Sequence, residues 1–242
     1  MYPYICKATK DIKNFKYINI GPSWAWSAYA SEQQHKKLFN YADVWNIPYY
    51  DLSCPGKQNE ILIQNLKFFL NDYPNNKPII WFWPELSFIR WQEIHDKDNW
   101  KERYQEFVIN DLKIIDNIGN KILIIGSHAE PDILSLSKIK NTFKNITFYN
   151  TSIQKFIGKY CNSTHIDFYF GFEVAWRAIN ASNNPSKSLV NFVYEGLEIW
   201  RSWEKKAMFV GMAHPTEKAV ELYAREHENF IKTWLKSHID IE

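Results

Sequence analysis

The amino-acid sequence predicts an α/β protein, namely a three-layer α/β/α sandwich around a mainly parallel, five-stranded sheet. The first observation is that five short apolar runs alternate along the chain with segments of helical periodicity. The second is that two of these runs, residues 78–83 and 121–126, are apolar almost throughout, which is typical of parallel strands covered on both faces. The third is that no repeat, low-complexity tract or linker interrupts the alternation, so we expect a single domain over residues 1–242.

The predicted strands and helices follow one another in a regular order. The strands are residues 16–20, 47–53, 78–83, 121–126 and 146–150. The helices are residues 60–71, 100–118, 132–140, 152–160, 187–204 and a final helix that begins after Pro215. Asn59 and Thr216 are residue types that cap helix N-termini, and we expect them to cap the first and the last of these helices. Ligands of parallel sheets bind beyond the carboxyl ends of the strands, which directs attention to the loops after the five strands.

Apolar spacing predicts which side chains face the core. In the third strand Trp81 and Trp83 are two residues apart and share one face, whereas Ile80 and Phe82 share the other. We expect all four side chains to be buried, and we expect Trp83, nearest the carboxyl end, to border the ligand cleft. The predicted stripe of the final helix is Ala219, Leu222, Tyr223, Phe230, Ile231, Trp234 and Leu235.

Composition excludes several classes of protein. Hydrophobic residues make up 45 % of the chain and charged residues 23 %, so neither a fibrous nor a fully disordered protein is expected. The net charge is only +2, with basic residues spread along the chain, and no apolar run approaches the ~20 residues of a membrane span. We therefore predict no nucleic-acid partner and no membrane partner, and the sequence leaves the oligomeric state open.

Cysteine usage and the N-terminus favour a cytoplasmic location. Cys6, Cys54 and Cys161 are odd in number, widely spaced and without a CxxC pair, which argues against a zinc ribbon and favours a reducing compartment. The first residues, MYPYICKATK, contain no apolar stretch long enough for a signal peptide. The sequence also lacks a glycine-rich phosphate loop and a His-Glu-x-x-His pattern, so we predict no metal, nucleotide or redox cofactor.

Three short segments carry residue types suited to ester chemistry, and each has a plain structural alternative. Ser23, directly after the first strand, can present its hydroxyl above the sheet beside backbone N–H groups, or it can simply cap the next helix. Gly56, after the second strand, can offer its backbone N–H to a ligand, or it can belong to an ordinary turn. His214, before the final helix, can take a proton from a serine hydroxyl, or it can be a surface or capping histidine.

In this order the three segments resemble the SGNH/GDSL hydrolase superfamily, and more narrowly the small SGNH-like proteins encoded by tailed phages. The matching residues are Gly21-x-Ser23, then Pro55-Gly56-x-x-Asn59, then His214-Pro215 one helix from the end. The resemblance implies an SGNH/flavodoxin-like fold and the activity of a serine esterase or acyl hydrolase. It implies that Ser23 is the nucleophile, that His214 is the base, and that the backbone N–H groups of Ser23 and Gly56 bind the oxyanion. If the chain is phage-encoded, the resemblance also implies association with the virion.

The chain departs from the family pattern at two blocks. Gly211 stands where the family has an aspartate three residues before the histidine, and the segment Trp83-Pro84-Glu85-Leu86 replaces the block that carries an asparagine. The carboxylates that can orient His214 instead are Glu85, Glu130, Asp132 and Glu173. The alternative interpretation is therefore a non-catalytic glycan-binding or assembly module that keeps the SGNH-like fold. A third interpretation is acyl or glycosyl transfer on a similar scaffold.

The expected substrate is a small-molecule or glycan ester. Aromatic residues make up 17 % of the chain and include eleven Trp, and aromatic faces pack on sugar rings as well as in a core. The candidate substrate-binding residues stand close to the ends of predicted strands. They are Trp24, Trp83, Glu85, Arg90 and His128.

Overall fold

A computed structural model describes residues 14–22, 41–54, 57–84, 86–127, 140–162, 172–204, 209–210 and 214–239. Its main sheet contains β1 (Tyr17–Ile20), β2 (Tyr49–Asp51), β3 (Ile79–Trp83), β4 (Ile122–Gly126) and β5 (Ile146–Phe148). The strand order is β2-β1-β3-β4-β5, and all four neighbouring pairs are parallel. The predicted α/β class with a five-stranded parallel sheet is therefore confirmed.

Helices carry the connections and cover both faces of the sheet. In the described residues they are α1 (Tyr41–Trp45), α2 (Asn59–Asp72), α3 (Phe88–Ile94), α4 (Trp100–Asp116), α5 (Ile153–Tyr160), α6 (Phe172–Asn180), α7 (Lys187–Glu204) and α8 (Glu217–His238). A 3₁₀ turn at Lys140–Thr142 precedes β5. Two short strands, β6 (Phe209–Val210) and β7 (His214–Pro215), pair antiparallel just before α8.

The long elements lie where the sequence predicts them, and the short ones were beyond its reach. The helices α2, α4, α5, α7 and α8 match predicted segments, because several turns of apolar spacing define a helical period. The second strand is Tyr49–Asp51 rather than residues 47–53, so the prediction was too long at both ends. The sequence does not predict α1, α3, α6 or the β6–β7 pair. The helix α1 has five residues and the strands β6 and β7 have two each, too few to show a period. Residues 132–139, all but the last residue of the predicted helix 132–140, lie outside the described residues.

One face of the sheet is covered by α1 and α8. Phe82 of β3 stacks on Tyr41 and on Trp45 of α1, with ring centroids 5.1 and 6.4 Å apart. Trp45 donates its indole N–H to the carbonyl of Ala224 in α8, at 3.2 Å. The large aromatic side chains of α1 thus fill the space between β3 and the final helix.

The opposite face is covered by α2 and α4. Tyr50 of β2 stacks on Phe69 of α2 with ring centroids 4.4 Å apart, and Trp81 of β3 donates its indole N–H to the side chain of Asn59 at the start of α2. The four consecutive residues of β3 are fully or almost fully buried, as predicted: Ile80, Trp81 and Phe82 are 0 % exposed and Trp83 is 1 % exposed. Helices on both faces explain why this strand has no polar residue.

The final helix runs antiparallel to the strands. Near its start, the hydroxyl of Tyr223 donates to the carbonyl of Thr151, which lies just beyond the carboxyl end of β5, at 2.7 Å. At its other end, Ile239 lines a surface pocket together with Pro78, the residue before β3. Because α8 spans the sheet in this direction, the backbone of His214, immediately before it, lies toward the carboxyl edge of the sheet.

A further group of helices packs beside α4. Trp100, at the start of α4, contacts Trp91 of α3 and Phe192 of α7, with ring centroids 6.4 and 5.8 Å apart. Its indole N–H also donates to the hydroxyl of Ser188 in α7, at 3.0 Å. The helices α3 and α7 are therefore fixed to the layer that α2 and α4 form.

The structure confirms one predicted helix cap and corrects the predictions for two other residues. Thr216 does cap α8, because its hydroxyl accepts a backbone N–H of the first turn at 3.2 Å. Asn59 does not cap α2: Gln58 occupies the N-cap position, and the Asn59 side chain points into the core instead. Phe230 is 42 % exposed rather than part of the core stripe, because its ring packs on Tyr149 beyond the end of β5.

Candidate active site

The strand order creates a crevice beside the carboxyl end of β1. This strand lies between β2 and β3, so the chain leaves β1 toward one side and later returns to its other side. A reversal of this kind in a parallel sheet opens a crevice beyond the carboxyl ends of the strands, where ligands of such folds bind. Ser23 follows Gly21 and Pro22 at the end of β1, so its loop begins at this crevice.

The loops that leave β1 and β2 are hydrogen-bonded to each other. The N–H of Leu52 donates to the carbonyl of Asn19, and the N–H of Cys54 donates to the carbonyl of Gly21, both at 2.8 Å. The pairing of the two strands thus continues past their ends. Ser23 lies two residues beyond Gly21, and Gly56 lies two residues beyond Cys54. The two loops carrying the sequence-predicted nucleophile and oxyanion glycine therefore leave the sheet side by side.

A cluster of buried polar side chains lies at the carboxyl ends of β1 and β2, where these loops begin. The Asn19 Nδ2 atom donates to Asp51 Oδ1 and to Ser53 Oγ, both at 3.2 Å, and the Ser53 N–H donates to the same Asp51 oxygen at 2.9 Å. The three residues are 0, 7 and 1 % exposed. Asn19 Oδ1 is buried and has no hydrogen-bond partner among the described residues. Sequence reasoning missed this cluster, although a polar residue inside each of two apolar strands was a usable signal.

The start of α2 is held by a second buried asparagine. Asn59 Oδ1 accepts the indole N–H of Trp81 at 3.1 Å, and Asn59 Nδ2 donates to Asp111 Oδ2 at 3.3 Å. Asn59 is 4 % exposed and Asp111 is 2 % exposed. Both ends of the Asn59 carboxamide are therefore engaged, one by β3 and the other by α4.

Arg90, a predicted substrate ligand, is engaged with two carboxylates of the protein. Its terminal nitrogens donate to the two oxygens of Asp111 at 2.8 and 2.9 Å, and its Nε lies 2.7 Å from Glu60 Oε1. The guanidinium also lies over the ring of Phe107, 4.9 Å from its centroid. Burial works against the charged guanidinium, but the hydrogen bonds and charge of Asp111 outweigh it and raise the pKa of Arg90 above its ordinary value. Three of the five N–H donors of Arg90 are thus engaged, and two carboxylates balance its charge, which leaves little attraction for an anionic substrate.

Trp83 ends β3 at the same edge and is 1 % exposed. Its carbonyl accepts both the N–H of Ser127, at 3.3 Å, and the Ser127 hydroxyl. Ser127, which follows β4, is itself fully buried. Within the described residues, Trp83 is thus part of the core below the carboxyl edge of the sheet. Its predicted position at the wall of the cleft stays a prediction.

Several predicted site residues lie outside the described residues. They are Ser23, Trp24, Gly56, Glu85 and His128. Of His214 the backbone is described: it pairs with Val210 in the β6–β7 ladder. The structure therefore places the approaches to Ser23 and Gly56 side by side, and brings the His214 backbone toward the same edge of the sheet.

A Ser–His contact occurs elsewhere, between α3 and the turn after α6. His95 Nε2 lies 2.6 Å from Ser182 Oγ, and His95 Nδ1 lies 2.8 Å from the carbonyl of Gln92. Because the carbonyl requires a proton on Nδ1, the neutral ring accepts the serine proton at Nε2. Ser182 Oγ also accepts the N–H of Asn184 at 3.2 Å, so this serine closes a turn and its hydroxyl is a structural link between helices.

The described residues contain neither a metal-binding cluster nor a membrane-spanning helix. No group of three or more His, Cys, Asp or Glu side chains in this part of the chain is arranged to hold a metal ion. None of the described helices is both long enough and apolar enough to cross a bilayer. In comparisons with known proteins, neither a family model nor a curated protein matches this chain.

Proposed function

We propose that this protein is a serine esterase or acyl hydrolase of the SGNH type. The observation that carries the proposal is the hydrogen bond from the Cys54 N–H to the Gly21 carbonyl. It joins the loops of Ser23 and Gly56 at the crevice of the sheet, which is where a nucleophile and an oxyanion donor must meet. The direction of α8, which carries the His214 backbone toward the same edge, is further support.

In the proposed reaction, Ser23 Oγ attacks the carbonyl carbon of the ester while His214 takes the serine proton. The negative charge that develops on the carbonyl oxygen is stabilised by the backbone N–H groups of Ser23 and Gly56. The ester C–O bond breaks, and the leaving alkoxide receives the proton from His214. Water then attacks the acyl-serine while His214 takes a proton from it, the bond between the acyl carbon and Ser23 Oγ breaks, and His214 returns the proton to Oγ as the acid is released.

We propose an acylated carbohydrate as the substrate class, supported by the tryptophans that adjoin Ser23 in sequence. Five described tryptophans are almost completely buried and offer no surface to a sugar ring: Trp45, Trp81, Trp83, Trp91 and Trp100. In the sequence, Trp24 and Trp26 follow the proposed nucleophile within three residues. An aromatic face beside the reacting serine is a suitable platform for a sugar.

The second candidate function is a non-catalytic glycan-binding or assembly module. It is favoured by Gly211, which occupies the position of the family aspartate three residues before His214. A histidine without an orienting carboxylate is a weaker base, because nothing fixes its tautomer and stabilises its charged form. Under the esterase proposal, Gly211→Asp should raise kcat; under the module proposal it changes nothing measurable.

Labelling tests the nucleophile without knowledge of the natural substrate. The purified protein is treated with a fluorophosphonate probe, and the labelled serine is located by mass spectrometry in the parent, in Ser23→Ala and in Ser182→Ala. We expect labelling at Ser23 in the parent and in Ser182→Ala, and none in Ser23→Ala. Hydrolysis of p-nitrophenyl acetate should fall to background in Ser23→Ala and in His214→Ala, and the double variant should be little worse than either. Labelling confined to Ser182, or activity that survives Ser23→Ala, would overturn the proposal.

A further inference from the structure

The segment that contains Gly56 is held at both ends by described residues. On one side the Cys54 N–H donates to the Gly21 carbonyl at 2.8 Å, and the Lys57 N–H donates back to the Cys54 carbonyl at 3.2 Å. On the other side Asn59, three residues after Gly56, is fixed through its side chain. The described residues on either side of Gly56 are therefore fixed, Cys54 and Lys57 by backbone hydrogen bonds and Asn59 by its side chain.

The side chain of Asn59 matches the one donor and the one acceptor that surround it. Trp81 presents an indole N–H, which is a donor only, and Asp111 presents a carboxylate oxygen, which is an acceptor. The carboxamide meets the first with its oxygen at 3.1 Å and the second with its nitrogen at 3.3 Å. An aspartate here would set a second carboxylate against Asp111, and a leucine would leave both buried groups without this partner.

Asp111, which accepts the hydrogen bond from Asn59, is itself held in place. Both oxygens of Asp111 receive hydrogen bonds from Arg90, at 2.8 and 2.9 Å. Arg90 also contacts Glu60, the residue after Asn59, at 2.7 Å. Arg90 therefore holds Glu60 directly and Asn59 indirectly, through Asp111. The start of α2 thus has little freedom to shift relative to β3 and α4.

We propose that Asn59 is a positioning residue for the oxyanion site, one that aligns the Gly56 N–H by fixing the start of α2 against β3 and α4. The inference rests on the proposed function, since it needs Gly56 to act as an oxyanion donor. Loss of one such donor lowers kcat by about 10²- to 10³-fold, and a misplacement of ~1 Å has an effect of about 10²-fold. We expect Asn59→Ala to lower kcat by roughly 10- to 100-fold while KM changes by less than about threefold.

Asn120 provides a matched control at the opposite edge of the sheet. It is a buried asparagine, 6 % exposed, whose Nδ2 donates to the carbonyls of Asn75 and Lys77 at 3.1 and 2.9 Å. Like Asn59, it makes two hydrogen bonds that fix a loop, but that loop precedes β3. Asn120→Ala should therefore destabilise the protein to a similar degree and leave kcat per folded molecule unchanged.

The experiment measures p-nitrophenyl acetate hydrolysis and the rate of fluorophosphonate labelling at Ser23 in the full chain of the parent, Asn59→Ala and Asn120→Ala. Rates are expressed per serine labelled at completion, so unfolded molecules do not contribute. If Asn59→Ala does not fold, Trp81→Phe replaces it, because this variant removes the indole donor and keeps an aromatic ring. Slower labelling and lower kcat in the Asn59 or Trp81 variant, with Asn120→Ala like the parent, is the expected result.

Two other outcomes have different meanings. If the parent is labelled at Ser23 but the Asn59 and Trp81 variants react as fast as Asn120→Ala, the positioning role is wrong and the esterase proposal stands. If the parent is neither labelled at Ser23 nor active on the ester, the proposed function fails and the inference fails with it.

Discussion

Arg90 on α3 donates both terminal guanidinium nitrogens to the two oxygens of Asp111 on α4, at 2.8 and 2.9 Å. The carboxylate is 2 % exposed, so the arginine is a close cationic partner of a charge that solvent hardly reaches. Such a pair contributes little net stability when intact, but removal of one partner leaves the other charge buried and uncompensated. This asymmetry makes the pair a sensitive test of the structure.

Replacing Arg90 by Ala should lower the free energy of unfolding by about 3 kcal/mol, because the buried Asp111 carboxyl loses its partner. Burial already raises the pKa of Asp111, and Arg90 is the main group that opposes this shift. Urea denaturation at neutral pH measures the change. The matched control is Arg103→Ala: Arg103 lies 3.0 Å from Glu106, but both side chains are more than half exposed, and solvent screening should limit its effect to about 0.5 kcal/mol. Equal losses in the two variants would contradict the burial of the Arg90–Asp111 pair.

Replacing Trp81 by Ala should lower the free energy of unfolding by about 3–5 kcal/mol, because a large cavity opens between β3 and α2. The side chain is 0 % exposed and donates a hydrogen bond to Asn59. Phe68→Ala is the comparison, since Phe68 of α2 is 48 % exposed and its removal leaves no cavity. Thermal melts should separate the two variants clearly; a Trp81→Ala protein that melts like the parent would refute the central position of β3.

The pH dependence of stability should reveal His227 in α8. Burial lowers its pKa below the ordinary value of 6.5, Glu226 opposes this, and Lys159 adds to it. A hydrogen bond joins His227 Nδ1 to the hydroxyl of Tyr149, which lies 2.5 Å away. The unfolded chain therefore binds a proton at this histidine at a pH where the folded protein does not, and the free energy of unfolding falls as the pH decreases below about 6.5.

The measurement compares urea midpoints at pH 7.5 and 5.5 in the parent and in His227→Gln. Carboxylates contribute equally to both proteins, so the difference between the two pH dependences isolates the histidine. We expect a smaller loss of stability on acidification in the variant. An identical loss would mean that His227 has the same pKa in the folded and unfolded chain.

Continuous apolar segments made the sheet predictable, and short segments did not. The segments that form β3 and β4 contain no polar residue that would face solvent. The sequence therefore predicted strands that are covered on both faces. The helix α1 has five residues, too few for a period, and its role became visible only when Tyr41 and Trp45 were seen to stack on Phe82. Its position depends on partners in β3 and α8 that are remote in sequence.

The candidate site was predictable where it follows strand ends and not where it depends on buried polar partners. Ser23 and Gly56 were predicted because turns after strands are recognisable, and the Cys54–Gly21 hydrogen bond joins the described ends of the segments that lead to them. Asn59 was assigned to the wrong task, since a capping asparagine and a buried one look alike in sequence. Its true partner, Asp111, lies 52 positions away, and no local pattern connects the two.

The two outer strands of the sheet are its shortest parts. β2 and β5 have three residues each, whereas β3 and β4 have five. An outer strand exposes backbone N–H and C=O groups onto which a strand of another molecule can add, and such addition is the first step of edge-to-edge aggregation. A few backbone hydrogen bonds continue past the ends of both strands, but edges this short still offer few such groups to a second copy. In the part of the chain that the structure describes, the sheet thus presents short edges to other chains, which disfavours aggregation of the folded protein through strand addition.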